Sequence, residues 1–344
     1  MGDIIHSLPA VAALRRAYPQ AVIGWAVEDR WLDLLSARPA VADAQRSPAR
    51  PLVDVIHKVN TRAWRNAPFS SSTWKNIREI IRELRHERYD LAVDMQAAIR
   101  SALLAKFSRT PRRVGFAQPR EAPAKLFYTE IISTSAVHVV DQGLQLAHAI
   151  TGGGMASAEF PLPRDAEAEA WCDAQLERSR VNEFVIMSPG AGWGAKCWPV
   201  ERYGEVARTL KREGMAVLVN AGPGEEELAE RLLEASEGAA QKLSCSLAQL
   251  IALTRRAQLF IGGDTGPVHL AAALNVPVVA IYGPTNPARN GPFGPAGTNS
   301  IIKVLRSSGS RTSHARHRAP EEGLLQITTE QVQEAARLLL RAKQ

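Results

Sequence analysis

Twice along this chain, short apolar runs alternate with stretches of helical length, and that alternation constrains the fold more than any other feature. Apolar runs of roughly 4–8 residues, each followed by a helix, are the pattern of a parallel sheet covered by helices on both faces. In the first half, strands are predicted at 21–27, 53–59, 91–94 and 113–116, with helices at 9–18, 72–88, 97–107 and 142–150. Thr151-Gly152-Gly153-Gly154 then ends a helix, and Pro161, Pro163 and a charged helical stretch lead to a new strand at 184–187. The second half repeats the alternation more cleanly. Its strands fall at 216–220, 259–262, 278–282 and 301–305, and its helices at 201–213, 224–235, 247–256 and 267–274. A polar stretch rich in Arg and Ser over 307–322 reads as a surface loop, and the capping-box pattern Thr328-x-x-Gln331 starts a last helix that runs to about 342. A chain of 344 residues exceeds what one hydrophobic core serves. The predicted organisation is two α/β domains, 1–165 and 166–325, with 326–344 a helix packing back toward the N-terminal domain.

Composition narrows the function classes. Hydrophobic residues make up 45% and charged residues 22%, as in soluble globular proteins. No apolar run is long enough for a membrane-spanning helix, and the first residues, with Asp3 and His6 among them, do not read as a signal peptide. Cys172, Cys197 and Cys245 lie far apart without metal-ligand spacing, and read as reduced thiols in a cytoplasmic protein. The net charge of +7 suits nucleic acid, an anionic membrane surface or an acidic substrate. No RNA-binding signature or zinc finger accompanies it, which counts against nucleic acid.

In open α/β sheets ligands sit beyond the carboxyl ends of the strands, so the strand–helix junctions are where chemistry is sought. The strongest is Phe260-Ile261-Gly262-Gly263-Asp264-Thr265-Gly266-Pro267-Val268-His269. Unpaired amides at the start of such a helix suit a phosphate, while Asp264 suits sugar hydroxyls. The same residues also serve as an ordinary helix cap, and the two readings are compatible. In Ser188-Pro189-Gly190-Ala191-Gly192-Trp193-Gly194-Ala195-Lys196-Cys197-Trp198-Pro199 the glycines, Gly190 and Gly192 among them, allow close backbone approach. Lys196 there supplies charge for a diphosphate leaving group, although the segment is no Walker A loop and a flexible surface loop is the plainer alternative. Tyr282-Gly283-Pro284-Thr285-Asn286-Pro287 is a weaker signal, expected of any tight turn. Glu225-Glu226-Glu227 follows another strand and suits either a helix dipole or ribose hydroxyls. Gly2-Asp3-Ile4-Ile5-His6-Ser7-Leu8-Pro9-Ala10 opens the chain, and by local chemistry alone it is a frayed end.

Taken in order, GDIIHSLPA, PGAGWGAKCWP, GGDTGPVHLAAAL and YGPTNPARNGPFG resemble the bacterial lipopolysaccharide heptosyltransferases of glycosyltransferase family 9. The likeness extends through YDLAVDMQAAIRSALL and RVGF, and so over nearly the whole chain. It implies the GT-B fold, two Rossmann-like domains facing across a cleft, and an inverting transfer without metal or other cofactor. The implied donor is ADP-L-glycero-β-D-manno-heptose. The first enzyme of that series adds heptose to the Kdo sugar of lipid A on the cytoplasmic face of the inner membrane. By resemblance, Asp3 matches the base on the acceptor hydroxyl, Lys196 the lysine on the donor diphosphate and Asp264 the acid that contacts the heptose. Thr265 and Gly266 match the phosphate-binding turn, His269 a donor-site histidine, and Glu226, less securely Glu225, the ribose contact. An acidic acceptor at an anionic membrane suits Arg62, Arg65, Arg112, Arg113 and Arg120, each otherwise a solvated surface residue, together with Gln96.

The chain departs from the family at three places. Gln96-Ala97-Ala98-Ile99-Arg100 replaces the usual QGL and basic residue, and Ala191 and Gly192 stand where relatives carry hydroxyls, leaving backbone amides to hold phosphate. Relatives also carry about ten residues before this GD, a first strand that here is expected to be missing if Met1 is an internal methionine. The competing expectations are a related GT-B transferase or epimerase using another nucleotide sugar, and a nucleotide-binding protein without catalysis.

Overall fold

The first half of the chain carries the sparser sheet. The computed structural model describes residues 1–38, 46–154, 157–295, 300–313 and 319–343, and within α2 the side chains of Arg62 and Arg65 lie outside the described residues. Helix α1 (Gly2–Ala17) opens the chain and is followed by β1 (Gly24–Glu28), β2 (Val55–Val59), α2 (Thr61–Asn66), α3 (Ser71–His86), β3 (Leu91–Val93), α4 (Ile99–Phe107), β4 (Arg112–Phe116), β5 (Glu130–Ile132) and α5 (Val139–Thr151). β1 pairs with β2 in one parallel sheet, and β3, β4 and β5 form another. Gly152, at φ 66°, stops α5 in the left-handed conformation that glycine adopts without a Cβ penalty.

The predicted start of the first helix at residue 9 is corrected by the structure. α1 begins seven residues earlier and carries Pro9 in its interior. An interior proline costs a backbone hydrogen bond, about 3 kcal/mol. Burial of Ile5, Leu8 and Ala10 offsets that cost, so the opening segment is ordered helix and not a frayed end.

The second half continues with α6 (Ala166–Ser179), β6 (Phe184–Ser188), α7 (Val200–Arg212), β7 (Ala216–Asn220), α8 (Glu226–Ala235), β8 (Ala240–Leu243), α9 (Leu247–Arg256), β9 (Leu259–Gly263), α10 (Gly266–Ala273), β10 (Val278–Tyr282), α11 (Pro287–Asn290), β11 (Ile302–Arg306), α12 (Glu322–Leu325) and α13 (Thr329–Lys343). Six strands pair in parallel in the order β11-β10-β9-β6-β7-β8. β6, β9 and β10 are buried at every residue, the signature of strands covered on both faces. Alternation along β6 divides the core: Val185 and Met187 join the cluster under α7, α8 and α13, while Phe184 and Ile186 join the one under α6, α9 and α10. Two strands escaped the sequence reading. β8, AQKL, is half polar, and β5 has only three residues.

The chain divides into two compact units: residues 7–156 with 161–163, and residues 1–6 and 157–160 with 164–344. The last helix was expected to pack toward the N-terminal domain. Val332, Ala335, Ala336 and Leu339 of α13 belong to the core of the C-terminal unit, where a buried apolar face beside α7 receives them. Trp198 links the two ends of that unit by donating its indole N–H to the Ile327 carbonyl at 3.0 Å.

Candidate active site

Strand order in the six-stranded sheet reverses between β6 and β9, so the segments leaving these two strands diverge at a switch point. Glycines let them run close together. A Cβ on Gly262 would stand 3.0 Å from the Ser188 carbonyl oxygen, and one on Gly263 would stand 3.2 Å from that of Lys196. The sequence therefore brings Lys196, in the 3-10 turn Gly194–Lys196 after β6, onto Asp264 at the end of β9.

The ion pair between Lys196 Nζ and Asp264 Oδ2 is nine-tenths buried, at 11% and 10% side-chain exposure. The ammonium also lies 4.2 Å from the Trp193 ring centroid, a cation–π contact. Two further groups converge on Oδ1 of Asp264. The Tyr282 hydroxyl at the end of β10 lies 3.2 Å away and equally close to the Asn290 carbonyl, so its one proton serves either acceptor. His269 Nε2 lies 3.5 Å away. Burial alone would raise the Asp264 carboxyl. A hydrogen bond from His269 and then the ammonium of Lys196 outweigh it and hold Asp264 well below the usual carboxylate range. Asp264 is therefore an anion at any working pH.

Thr265 occupies the N-cap position of α10 in an extended conformation, but its side chain makes no capping hydrogen bond, and its hydroxyl turns 3.4 Å toward the Gly263 carbonyl. The plain helix-cap reading is thereby disfavoured. The first turn of α10 is a positive dipole end without a side-chain cap, suited to an anion. Residues 1–6 pack on this turn as part of the same unit. A Cβ on Gly266 would meet the Met1 side chain at 2.5 Å, and one on Gly2 would stand 3.3 Å from His269 Cδ2. His6 Nε2 and His269 Nδ1 share a hydrogen bond of 3.1 Å. Asp3, exposed in the first turn of α1, thus belongs to the compact unit that holds Lys196 and Asp264.

The loop after β7 contributes a third acid. Glu225 is half-buried and its Oε2 accepts the Gly222 N–H at 2.8 Å. Its carboxyl carbon stands only 2.0 Å from where a Cβ on Gly190 would be. Burial raises the Glu225 carboxyl, the Gly222 N–H opposes that, and Glu226 adds to it. Glu226 itself is exposed at the start of α8, and Gly192 faces open space. Of the two acids, Glu225 is the one turned toward the glycine-rich segment.

The N-terminal residues expected to meet an acceptor are more scattered in role. Gln96 is exposed in a loop whose backbone is fixed by Asp94, which accepts the Gln96 and Ala97 N–H groups at 3.0 Å, Ser101 Oγ at 2.9 Å and Tyr128 Oη at 2.8 Å. Burial raises the Asp94 carboxyl despite these donors. Arg113 donates to the Phe127 and Thr110 carbonyls, and Arg112 pairs with Glu130 at 2.7 Å, so both serve the β3–β4–β5 sheet. Arg120 is exposed, and the side chains of Arg62 and Arg65 lie outside the described residues. Sequence reasoning passed over Tyr282 and Trp193 as site residues and left Asp94 as a strand end. Only the YGPTN junction and the two tryptophans around Lys196 signalled any of them.

The family model for glycosyltransferase family 9 (heptosyltransferase) matches residues 77–317. This chain belongs to that family. It is a glycosyltransferase, and the names of relatives it matches agree. It is 30% identical to lipopolysaccharide heptosyltransferase 1 of Pseudomonas aeruginosa, over 86% of this chain and 79% of that protein. It is 28% identical to lipopolysaccharide heptosyltransferase 1 of Escherichia coli K12, over 97% and 95%. Among solved structures, E. coli ADP-heptose LPS heptosyltransferase II superposes with a TM-score of 0.76 at 23% identity, over 99% of this chain and 96% of that one. E. coli heptosyltransferase WaaC with ADP superposes with a TM-score of 0.75 at 24% identity, over 98% and 96%. These likenesses establish the GT-B fold, with two Rossmann-like domains, as the sequence implied.

Proposed function

We propose that this family 9 transferase, an enzyme of lipopolysaccharide core assembly, moves L-glycero-D-manno-heptose from ADP-heptose to the Kdo of the inner core. The reaction is a single inverting displacement without a metal or other cofactor. The observation that carries this reading is the buried Lys196–Asp264 pair beside the uncapped first turn of α10. Support comes from the two heptosyltransferase 1 relatives and from a WaaC structure described with ADP-2-deoxy-2-fluoro heptose, at a TM-score of 0.75.

In the proposed mechanism Asp3 takes the proton of the acceptor hydroxyl as its oxygen bonds to the anomeric carbon and the bond to the diphosphate breaks. Lys196 and the amides at Thr265 and Gly266 take up the charge that develops on ADP, with the Gly190–Gly192 backbone flanking the phosphates. Asp264 accepts hydrogen bonds from sugar hydroxyls and His269 lines the donor. Glu225, in preference to Glu226, binds the ribose, because it is the acid turned toward Gly190.

The acceptor is assigned to the N-terminal unit through Gln96, Arg120, Arg62 and Arg65, at the cytoplasmic face of an anionic membrane. This unit holds 21 Lys and Arg against 13 Asp and Glu, a balance of +8, while the C-terminal unit stands at −1. Phe69 and Trp74 flank the start of α3 at 92% and 51% exposure, and Trp74, Arg78, Arg82 and Arg85 follow one another at helical spacing on its exposed side. An aromatic tip on an arginine stripe suits the headgroup region of anionic lipid. No helix among the described residues is long and apolar enough to cross a membrane.

The test is ADP release by the enzyme supplied with ADP-heptose and Kdo-lipid A. Release that requires both substrates is expected, and none at all would remove the substrate assignment. The Asp3→Asn variant is expected to lose ~10³-fold in kcat with ADP affinity nearly unchanged. Retention of most activity would remove Asp3 as the base.

A further inference from the structure

We infer that His6 is a positioning residue, which holds the His269 ring in one tautomer and seats the turn that presents Asp3. The inference rests on the reading of this site as the donor and base site, but its geometry stands apart from the identity of the sugar.

His269 is buried, and each of its ring nitrogens faces one partner in this unit: Nε2 lies 3.5 Å from Asp264 Oδ1, and Nδ1 lies 3.1 Å from His6 Nε2. Asp264 is an acceptor only, so the proton on His269 belongs on Nε2. Its Nδ1 is then a lone pair, and the hydrogen bond across 3.1 Å requires His6 to donate from Nε2. The Asp264 contact at 3.5 Å is the looser of the two, so the 3.1 Å hydrogen bond with His6 is what holds the ring in that tautomer. The rings meet edge to face, with centroids 4.5 Å apart and planes at 77°, so the contact holds orientation as well as distance.

His6 and Asp3 are three residues apart on α1, hence on one face of the helix. Around them, Gly2 and Gly266 leave room that a Cβ would fill, against His269 and Met1 respectively. The start of α1 is thus seated on the start of α10 by shape at two glycines and by direction at one hydrogen bond. A base displaced by about 1 Å loses rate on the order of 10²-fold while substrate binding persists, which is the signature expected of His6.

The experiment compares His6→Ala with His6→Gln, whose amide N–H can still donate to His269 Nδ1, in the full chain. His6→Ala is expected to lower kcat ~10- to 100-fold, with KM for the sugar nucleotide and affinity for ADP within ~3-fold of the parent. His6→Gln is expected to recover most of that loss. Imidazole ¹⁵N signals give a readout that does not depend on turnover. His269 is expected to be a single Nε2–H tautomer in the parent and in His6→Gln, and a mixture in His6→Ala. An unmixed His269 in His6→Ala overturns the inference, as does equal kcat in His6→Ala and the parent, or equal loss in both variants. If the parent transfers no heptose at all, the proposed function fails and the imidazole signals alone decide this inference.

Discussion

Two buried carboxylates, one in each unit, stand at the ends of parallel strands, and their surroundings push them in opposite directions. Asp264 follows β9 and faces Lys196 and His269, which hold its carboxyl down. Asp94 follows β3 and receives two backbone N–H groups, the Ser101 hydroxyl and the Tyr128 hydroxyl, yet burial still raises it. At Asp94 four neutral donors do not offset burial, while at Asp264 the donors that do include a cation. Asp264 is equipped to remain an anion beside a ligand. Asp94 is equipped to hold a loop, with Ala97 in the left-handed region at φ 54° beside exposed Gln96.

The largest expected effect comes from removing the cationic partner. Lys196→Ala leaves Asp264 buried without its ammonium, and is expected to cost about 3–5 kcal/mol of stability and on the order of 10²-fold or more in kcat. Denaturant unfolding and ADP-release kinetics measure the two losses. If stability is unchanged, Asp264 is not dependent on Lys196 and the contrast with Asp94 collapses.

Asp94→Ala is expected to cost about 2–4 kcal/mol, because it strands two N–H groups and two hydroxyls. ADP affinity should stay within ~3-fold of the parent, read by calorimetry. A larger fall would mean that Asp94 serves the nucleotide after all.

Next comes Gly190→Ala, which places a methyl where the Glu225 carboxylate lies. It is expected to weaken ADP binding by ~10-fold. Glu225 shows that location in the C-terminal unit does not itself depress a carboxyl. It is raised by burial there, as Asp94 is elsewhere, with only a backbone N–H in opposition.

The smallest effects are those of pH, and they carry opposite signs. The Asp264 contribution is present above its ordinary value of 3.8 and is lost as pH falls below it through the depressed folded value. The Asp94 contribution is present below 3.8 and is lost as pH rises through its raised folded value. Urea unfolding from pH 3 to 7 should therefore flatten for Asp94→Asn on the rising side only. A change confined to the acid side would exchange the roles of the two residues.

Much of this was legible in the residues. Fully apolar runs such as FVIMS and VVAIY announce strands covered on both faces, and β8 was missed because AQKL at the sheet edge carries no such signal. The junction GGDTGPVH marked Asp264 and His269, and the glycine-rich segment marked Lys196, because close backbone approach demands residues without Cβ atoms. Arg112 and Arg113 show the limit. As a pair of arginines they suit an anionic ligand, while in the structure they serve Glu130 and the Thr110 and Phe127 carbonyls.

The sequence by itself determined the alternating architecture, the strand–helix junctions proposed to bind a nucleotide sugar and, through its motifs, the family. Only the tertiary structure decided which side chains meet. Lys196 and Asp264 are 68 residues apart and His6 and His269 are 263 apart. Periodicity and turn chemistry are local, acting over a few residues, whereas the first pair exists because β6 and β9 end side by side and the second because the start of α1 lies against the start of α10. The same reason explains the first helix. Pro9 and a polar chain end argue locally for a late start, and buried contacts made far along the chain overrule them.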